Sequence, residues 1–209
     1  MKEVSVSFLG DYNYQEIIKK LNNSNCDYIH YDVMDGKFVD NKNLSVEKIK
    51  TLLDISNKKN DIHLMVKDPS KYIEALSLYD ISYITIHKEI KNYDKYIDMI
   101  KNYGFKVGLA INPETSVEEI KQDLPKINLV LVMTVHPGRS GQSFLTDESK
   151  KIDELKEYIK ENKLNVKISV DGGIKEETLP FVVNSDIIVS ASYALENLDN
   201  INKIKEVGE

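Results

Sequence analysis

Short apolar runs rich in β-branched residues alternate with longer amphipathic runs along the chain. This order predicts parallel strands joined by crossover helices. The short runs are apolar on both faces, as the strands of a closed parallel barrel are. We therefore predict an α/β fold, a single (β/α)8 TIM barrel. The predicted strands are Val4–Phe8, Tyr28–Val33, Ile62–Val66, Tyr83–His87, Val107–Ile111, Leu129–Val132, Val166–Val170 and Ile187–Val189.

The segments between these strands carry helical signals. Three of them show apolar residues at helical spacing, which predicts helices with one buried face. Asp68-Pro69 predicts a helix start, and Thr115 with Glu118 predicts a capping box. A last helix is predicted over about 191–207. The three apolar stripes are Tyr14, Ile17, Ile18 and Leu21; Tyr93, Tyr96, Ile97 and Ile100; and Ile152, Leu155, Tyr158 and Ile159.

Length and charge narrow the picture further. With 209 residues the chain is short for an eight-fold barrel, so residues 1–209 are expected to form a single barrel domain. A formal net charge of −6 and the lack of a basic tract argue against nucleic acid or an anionic membrane as partner. The start of the sequence lacks a signal-peptide pattern, and the lone Cys26 reads as a packing residue, so we expect a cytoplasmic protein.

The histidines fall in a pattern that indicates a site. Each lies in or just beyond a predicted strand, and active sites of such barrels form at the carboxyl ends of the strands. Asp32 follows His30 by two residues, so both side chains point to the same face, and Asp171 ends the seventh strand. A single histidine in a strand is more often a hydrogen-bonded core residue, but four at matching ends favour a site. They are His30, His63, His87 and His136.

Two imidazoles and two carboxylates can converge in this arrangement. Nitrogen and oxygen ligands of this kind suit zinc, iron(II), manganese or cobalt. We therefore predict one divalent metal ion. Its predicted ligands are His30, Asp32, His63 and Asp171.

Glycine-bearing segments follow the sixth and seventh strands: HPGRSGQSF at His136–Phe144 and DGGIKEE at Asp171–Glu177. Glycines let backbone N–H groups approach an anion, and the last loops of a barrel commonly hold phosphate. Ser192, in the segment after the eighth strand, is a third candidate. Each loop alone is weak evidence, and Arg139, the one arginine of the sequence, is equally compatible with a solvated surface role.

Four motifs carry a resemblance to a known family. They are DYIHYDVMDGKFVDN at Asp27–Asn41, HLMV at His63–Val66, VMTVHPGRSGQSF at Val132–Phe144 and DGGI at Asp171–Ile174. In these motifs, their order and their spacing, nearly the whole chain resembles the ribulose-phosphate 3-epimerase family.

The resemblance implies roles for individual residues. It assigns the four predicted ligands to a metal and makes Asp32 and Asp171 the catalytic pair that carries protons. Ser7 matches a serine that touches substrate, and Ser5 is a weaker candidate for that role. Three methionines match residues that line the family's pocket, although core packing is an alternative for each: Met34, Met65 and Met133. The implied substrate-binding residues are Ser7, His63, Gly138, Arg139, Ser140, Gly141, Asp171, Gly172, Gly173, Ala191 and Ser192.

The chain departs from the family pattern at three places. Ser140-Gly141 replaces two consecutive glycines, and Ala191-Ser192 replaces Gly-Ser. His136 replaces a position that is commonly acidic or an amide. The metal and proton-carrying residues are intact, so these departures bear on substrate affinity more than on reaction type.

The activity implied by the resemblance is interconversion of D-ribulose 5-phosphate and D-xylulose 5-phosphate, with no organic cofactor. The loop Arg139–Asp147 is expected to close over the phosphorylated ketose. One alternative is 3-epimerisation of allulose 6-phosphate, and another is a noncatalytic protein that binds a sugar phosphate. A related family that decarboxylates ketogulonate phosphate fits less well, because it is expected to lack the two-histidine, two-aspartate set. A homo-oligomer is compatible with the sequence.

Overall fold

A computed structural model describes residues 1–10 and 13–208. Within these residues, eight strands pair in parallel with their sequence neighbours, and the last strand pairs with the first, which closes a barrel. The predicted fold class is therefore confirmed. The strands are β1 (Glu3–Ser7), β2 (Tyr28–Met34), β3 (Lys59–Met65), β4 (Tyr83–His87), β5 (Val107–Ile111), β6 (Leu129–Met133), β7 (Lys167–Asp171) and β8 (Ile187–Ser190).

Helices cover the outside of the barrel. The three predicted apolar stripes lie on the helices Tyr14–Asn22, Tyr93–Asn102 and Lys150–Glu161, and each of these helices buries isoleucines of its stripe. The α-helices of the described residues are α1 (Tyr14–Asn22), α2 (Val46–Leu53), α3 (Ser70–Ala75), α4 (Tyr93–Asn102), α5 (Lys150–Glu161), α6 (Ser192–Glu196) and α7 (Asn200–Lys205).

The connections after β5 and β7 are not α-helices. The chain forms 3-10 helices at Glu118–Ile120 and Leu124–Lys126 after β5, and at Glu176–Val182 after β7. Pro125 and Pro180 lie inside two of these segments, and proline lacks the N–H that an α-helix needs. The crossover helices expected at these two places are therefore short 3-10 helices.

Two further helix predictions are corrected. The segment 191–207 forms two short helices instead of one, because Asn197 is extended and its side chain accepts from the Asp199 N–H at 3.0 Å. Thr115 makes no capping box with Glu118; its hydroxyl donates to Glu89 instead, at 2.5 Å. Ser116 donates to Glu119 in the neighbouring turn, one residue away from the predicted pair.

The start of α3 agrees with prediction to within one residue. The helix begins at Ser70, whose N–H donates to the Asp68 carboxylate at 3.0 Å. Asp68 therefore caps the segment in which Pro69 was expected as the first helical residue.

The apolar core has two parts. The larger part lies between the sheet and the helices and takes in Ile18, Leu64 and Ile152, for example. The smaller part fills the barrel interior and includes residues of β2, β4, β5, β6 and β8. Its members alternate along the strands with the outward-facing residues. This smaller core leaves the interior near the carboxyl ends of the strands to polar side chains.

Two other sequence expectations can be compared with the structure. Cys26 is buried, and burial raises the pKa of its thiol, which agrees with a packing role. Among the described residues, none of the helices has the length and apolar character needed to cross a membrane.

Candidate active site

Strand register brings the predicted ligands together. His30 and Asp32 lie two residues apart on β2, so both point into the barrel. Asp32 is paired with His63 on β3, and His30 is paired with Ser7 on β1. Asp171 ends β7 on the other side of the barrel. Neighbouring strands therefore present these side chains at a common level.

The four predicted ligands form one cluster, with one ligand atom of each within 4.8 Å of the others. His63 Nδ1 lies 3.1 Å from Asp32 Oδ1 and 3.9 Å from Asp171 Oδ2. Among the described residues, His30 Nε2 is buried without a hydrogen-bond partner. A buried polar atom without a partner is costly, and a cation would satisfy it. This donor set can hold a divalent metal ion.

Asp32 is held in its ionised form. Burial acts to raise its pKa, but the charge of His30 and the closeness of the His30 and His63 ring nitrogens to its carboxylate outweigh burial and hold the pKa well below its usual range. The Ser7 hydroxyl also donates to Asp32 Oδ2 at 2.6 Å. The carboxylate is thus fixed in orientation and in charge.

Asp171 has the opposite environment. Burial and then the negative charge of Asp32 raise the pKa of Asp171 to about 7. Burial lowers the pKa of His30, but Asp61 and Asp32 outweigh it and raise that pKa well above its ordinary value. The site therefore contains one ionised carboxylate and one that gains a proton near neutral pH.

A cavity of about 640 Å³ opens over this cluster. Asp32 and Asp171 border it, and so does Ser7. The implied phosphate residues after β6, β7 and β8 all border it as well. His63 is implied as a substrate-binding residue, but it is fully buried and does not line the cavity. The lining residues from the three loops include Gly138, Arg139, Ser140, Gly141, Gly172, Gly173, Ala191 and Ser192.

The pocket methionines divide between two cavities. Met65 and Met133 line the main cavity, next to the aspartates. Met34 instead lines a neighbouring cavity of about 460 Å³ between the β1, β2 and β6 loops. The structure thus brings two of the three methionines to the main cavity.

Two glycines of the DGGI motif are required by their backbone positions. Gly172 has φ +123°, and a Cβ there would lie 2.5 Å from a methyl group of Val135. Gly173 has φ +65°, and a Cβ would meet the Phe144 backbone at 2.6 Å. Ala191 has φ −104°, which lies outside the left-handed region that favours glycine, so the backbone at this position accepts alanine.

The Arg139 and His136 side chains of the β6 loop point to solvent. Arg139 is 71% exposed and lies 3.6 Å from Asp40. His136 is 61% exposed and lies 3.2 Å from Glu114. Neither side chain pairs with an aspartate of the metal cluster. Arg139 nevertheless borders the cavity, where its guanidinium is accessible to an anion such as phosphate.

Sequence reasoning missed two residues near the ligand histidines, Asp61 and Glu89, and gave no role to a third, His87. Asp61 Oδ2 lies 2.8 Å from His30 Nδ1. His87, noted without a role, lies 2.8 Å from His63, and Glu89 lies 3.2 Å from His87. Burial lowers the pKa of His87 to about 4, so its ring is neutral. Asp61 and His63 are two positions apart in the sequence, and so are His87 and Glu89. This is the spacing of His30 and Asp32, and it could have identified these residues.

The chain matches known proteins over most of its length. A model described as the ribulose-phosphate 3 epimerase family matches residues 3–195. The chain belongs to this family. A relative named ribulose-phosphate 3-epimerase from Methanocaldococcus jannaschii is 36% identical, over 100% of this chain and 91% of the relative. A second relative of that name, from Bacillus subtilis, is 34% identical over 91% of this chain and 89% of the relative.

Solved structures support the fold of this ribulose-phosphate 3-epimerase family member. KGPDC from Streptococcus mutans superposes with a TM-score of 0.68 at 13% identity, over 100% of both chains. Phosphoribosyl anthranilate isomerase from Thermococcus kodakaraensis superposes with a TM-score of 0.65 at 10% identity, over 99% of both chains. At such low identity, the likeness concerns the barrel and not the chemistry.

Proposed function

We propose that this protein interconverts D-ribulose 5-phosphate and D-xylulose 5-phosphate by inverting carbon 3. The observation that carries the proposal is the pair Asp32 and Asp171, which border one cavity from strands on different sides of the barrel. Family membership supports the same reaction, since both relatives described above carry the name of this activity.

Inversion at carbon 3 needs two proton carriers. The proton beside the ketone leaves from one face, and a proton returns to the opposite face of the resulting enediolate. Asp32 and Asp171 take these roles, each serving as base in one direction and as acid in the other. Without a cation the pKa of Asp32 is held low and that of Asp171 is raised to about 7, so their environments give the two carboxylates different tendencies to take up a proton. Two carboxylates with pKa values pushed apart are a pattern of acid-base sites.

His30, Asp32, His63 and Asp171 are the residues proposed to hold one divalent cation, namely zinc, iron(II), manganese or cobalt. When bound, such a cation supplies positive charge that stabilises the negative charge developing on the substrate oxygens. A cation bound by all four side chains would also keep the two aspartates at fixed positions relative to each other, which favours proton transfer in a defined geometry.

The loops after β6, β7 and β8 are proposed to bind the phosphate. Gly172 and Gly173 keep the backbone close to the cavity, and Ser192 offers a hydroxyl at its border. Binding energy from the phosphate then positions carbon 3 between the aspartates. Ala191 changes this region little, because its backbone conformation does not require glycine. We further propose that loop Arg139–Asp147 closes over the bound substrate.

We propose that residues 1–209 work as one catalytic domain in the cytoplasm, on a small phosphorylated ketose. The net charge of −6 disfavours nucleic acid as a partner.

The test is a pair of coupled assays on ribulose 5-phosphate and allulose 6-phosphate, run side by side with the metal-loaded protein. We expect turnover of the five-carbon substrate with the higher kcat/KM. A preference for the six-carbon substrate would reassign the substrate and keep the chemistry. Binding of both sugars without turnover would contradict the proposed activity and favour a noncatalytic role.

A further inference from the structure

His87 is a buried histidine for which the proposed reaction has no use. It ends β4, its side chain is fully buried, and its Nε2 lies 2.8 Å from Nε2 of His63. The ring planes are 23° apart and the centroids 5.0 Å apart, as expected for two rings that meet edge to edge at these nitrogens. A contact of this length between two ring nitrogens requires one proton between them. One ring must donate and the other must accept.

Glu89 decides which ring donates. Its Oε1 accepts from the Asn112 N–H at 2.8 Å and from the Thr115 hydroxyl at 2.5 Å, and its Oε2 lies 3.2 Å from His87 Nδ1. Burial acts to raise the pKa of Glu89, but its hydrogen bonds outweigh burial and lower it, so the carboxylate is ionised. An ionised carboxylate can only accept hydrogen bonds. His87 Nδ1 must therefore carry a proton.

The consequence passes through His87 to His63. Full burial favours the neutral form of the His87 ring, and with its one proton on Nδ1 that ring presents a lone pair at Nε2. His63 Nε2 must then be the donor in the contact between the rings. A proton held on Nε2 of His63 leaves Nδ1 as the nitrogen that can offer a lone pair to the cluster. Nδ1 is also the atom of His63 that faces Asp32 and Asp171.

We propose that Glu89 and His87 are positioning residues that keep a proton on Nε2 of His63, so that Nδ1 is the nitrogen available to bind the metal. This inference rests on the proposed metal role of His63. Carboxylates or carbonyls that hold the second nitrogen of a ligand histidine commonly fix its tautomer and orientation. Here the carboxylate acts through an intervening imidazole.

The chain of contacts from Glu89 through His87 to His63, called the relay below, opposes a second influence on where His63 holds its proton. Asp32 Oδ1 lies 3.1 Å from His63 Nδ1 and by itself would favour a proton on that nitrogen. Without an acceptor at Nε2, the neutral ring would place its only proton on Nδ1 and block the metal. His87 supplies the acceptor that makes the other tautomer favourable.

Packing holds the relay in place. Phe38 lies against the His87 ring, with centroids 4.7 Å apart. Thr115 and Asn112 fix Glu89 from the loop after β5. This use of Thr115 also accounts for its absence from the predicted capping box. The other ligand histidine needs no such relay, because Asp61 contacts His30 Nδ1 directly.

The sharpest test is Glu89→Gln, which changes hydrogen bonding with almost no change of shape. The Asn112 N–H can only donate, so the amide oxygen of the substituted side chain is expected to stay on that side. The NH2 group of the amide then faces His87 Nδ1 as a donor and reverses the relay. His63 Nε2 becomes an acceptor, and its proton moves to Nδ1. The matched control is Glu119→Gln, which neutralises the nearby glutamate that bonds to Ser116.

Two measurements separate the outcomes. In histidine-labelled protein, 15N NMR identifies the protonated ring nitrogen, with the His63 signals assigned from His63→Gln. We expect a proton on His63 Nε2 in the wild type and in Glu119→Gln, with or without zinc, and on Nδ1 in metal-free Glu89→Gln. Titration with Zn2+ should show an affinity lower by about 10- to 100-fold in Glu89→Gln only.

Two of the remaining results would overturn the relay, and a third would overturn only the proposed metal role. A wild-type His63 without a proton on Nε2 would contradict it directly, whether or not metal binds. A lower zinc affinity in Glu89→Gln with the proton still on Nε2 would indicate only a loss of negative charge near the site. If the wild type binds no metal but shows the expected proton on Nε2, the relay stands and the proposed metal role fails.

Discussion

The two aspartates of the site are the same residue type in opposite environments. Asp32 is 5% exposed and accepts a hydrogen bond from Ser7, with both ligand histidines within 3.4 Å. Asp171 is 18% exposed, and its contact with His63 is longer, at 3.9 Å. The pKa of Asp32 is held well below its usual range, and that of Asp171 is raised to about 7. Local partners, and not residue type, therefore set which carboxylate carries a proton.

Removal of the metal should have the largest effect on the activity that depends on Asp32 and Asp171. A divalent cation favours the ionised form of both aspartates, and without it the charge of Asp32 opposes ionisation of Asp171. We expect chelation to abolish epimerisation, and iron(II), manganese, cobalt or zinc to restore it, as measured by the coupled assay. His63→Ala should lower the bound metal as well as the rate. Full activity in a preparation shown to be free of metal would contradict this account.

Ser7→Ala should remove a hydrogen bond to Asp32 and leave the contacts of Asp171 unchanged. The Ser7 hydroxyl donates to Asp32 at 2.6 Å, and a hydrogen bond to a charged group contributes about 1.5–3 kcal/mol, so kcat/KM should fall by about tenfold or more. Ser5→Ala is the matched control, because Ser5 donates at 3.2 Å to Asp61 instead. Equal losses in the two variants would remove the special role of Ser7.

The pH dependence of metal binding tests the raised pKa of Asp171. Below its pKa of about 7, Asp171 holds a proton that must leave before the carboxylate can bind a cation. Affinity for Mn2+ should therefore rise with pH up to about 7, by about tenfold per pH unit for each proton released. Calorimetry at pH 6 in buffers of different ionisation enthalpy counts these protons. Asp171→Asn should release about one fewer, and equal counts would contradict the raised pKa.

The smallest effect is expected at the phosphate loops, away from both aspartates. Ala191→Gly restores the residue that the family usually has, but Ala191 already has a negative φ, of −104°. We expect a modest decrease in KM with kcat unchanged, the pattern of uniform binding. Steady-state kinetics on ribulose 5-phosphate measures both parameters. A change confined to kcat would show that Ala191 affects the chemical step.

Sequence patterns predicted the barrel well because its determinants are local. Runs such as Tyr83–His87 are apolar enough to identify a buried strand directly, and its bounds are those predicted. The capping-box error lies where a side chain bonds to a distant partner. Thr115 matched a capping motif, but its hydroxyl donates to Glu89, which is 26 positions away in the sequence. Such a competition depends on strand register and loop packing, which local patterns do not contain.

The same reasoning explains what was found at the site. His30, Asp32, His63 and Asp171 were identified from their positions near strand ends and from the family resemblance, and the structure brings them into one cluster. Its supporting residues escaped notice, because a carboxylate such as Glu89 gains meaning only from the ring beside it. The opposite pKa shifts of the two aspartates also depend on three-dimensional distances, so spacing in the sequence could not predict them.

The most direct test of two-base catalysis is hydrogen exchange at carbon 3 in heavy water, with Asp32→Asn and Asp171→Asn compared at equal metal occupancy. Net epimerisation should fall by about 10²–10⁴-fold in both variants, because each loses one positioned proton carrier. Each should still exchange the carbon 3 proton of one epimer without inverting it, and the two variants should prefer opposite epimers. If one variant loses both exchange reactions while the other loses neither, a single base does the work and the two-aspartate account is wrong.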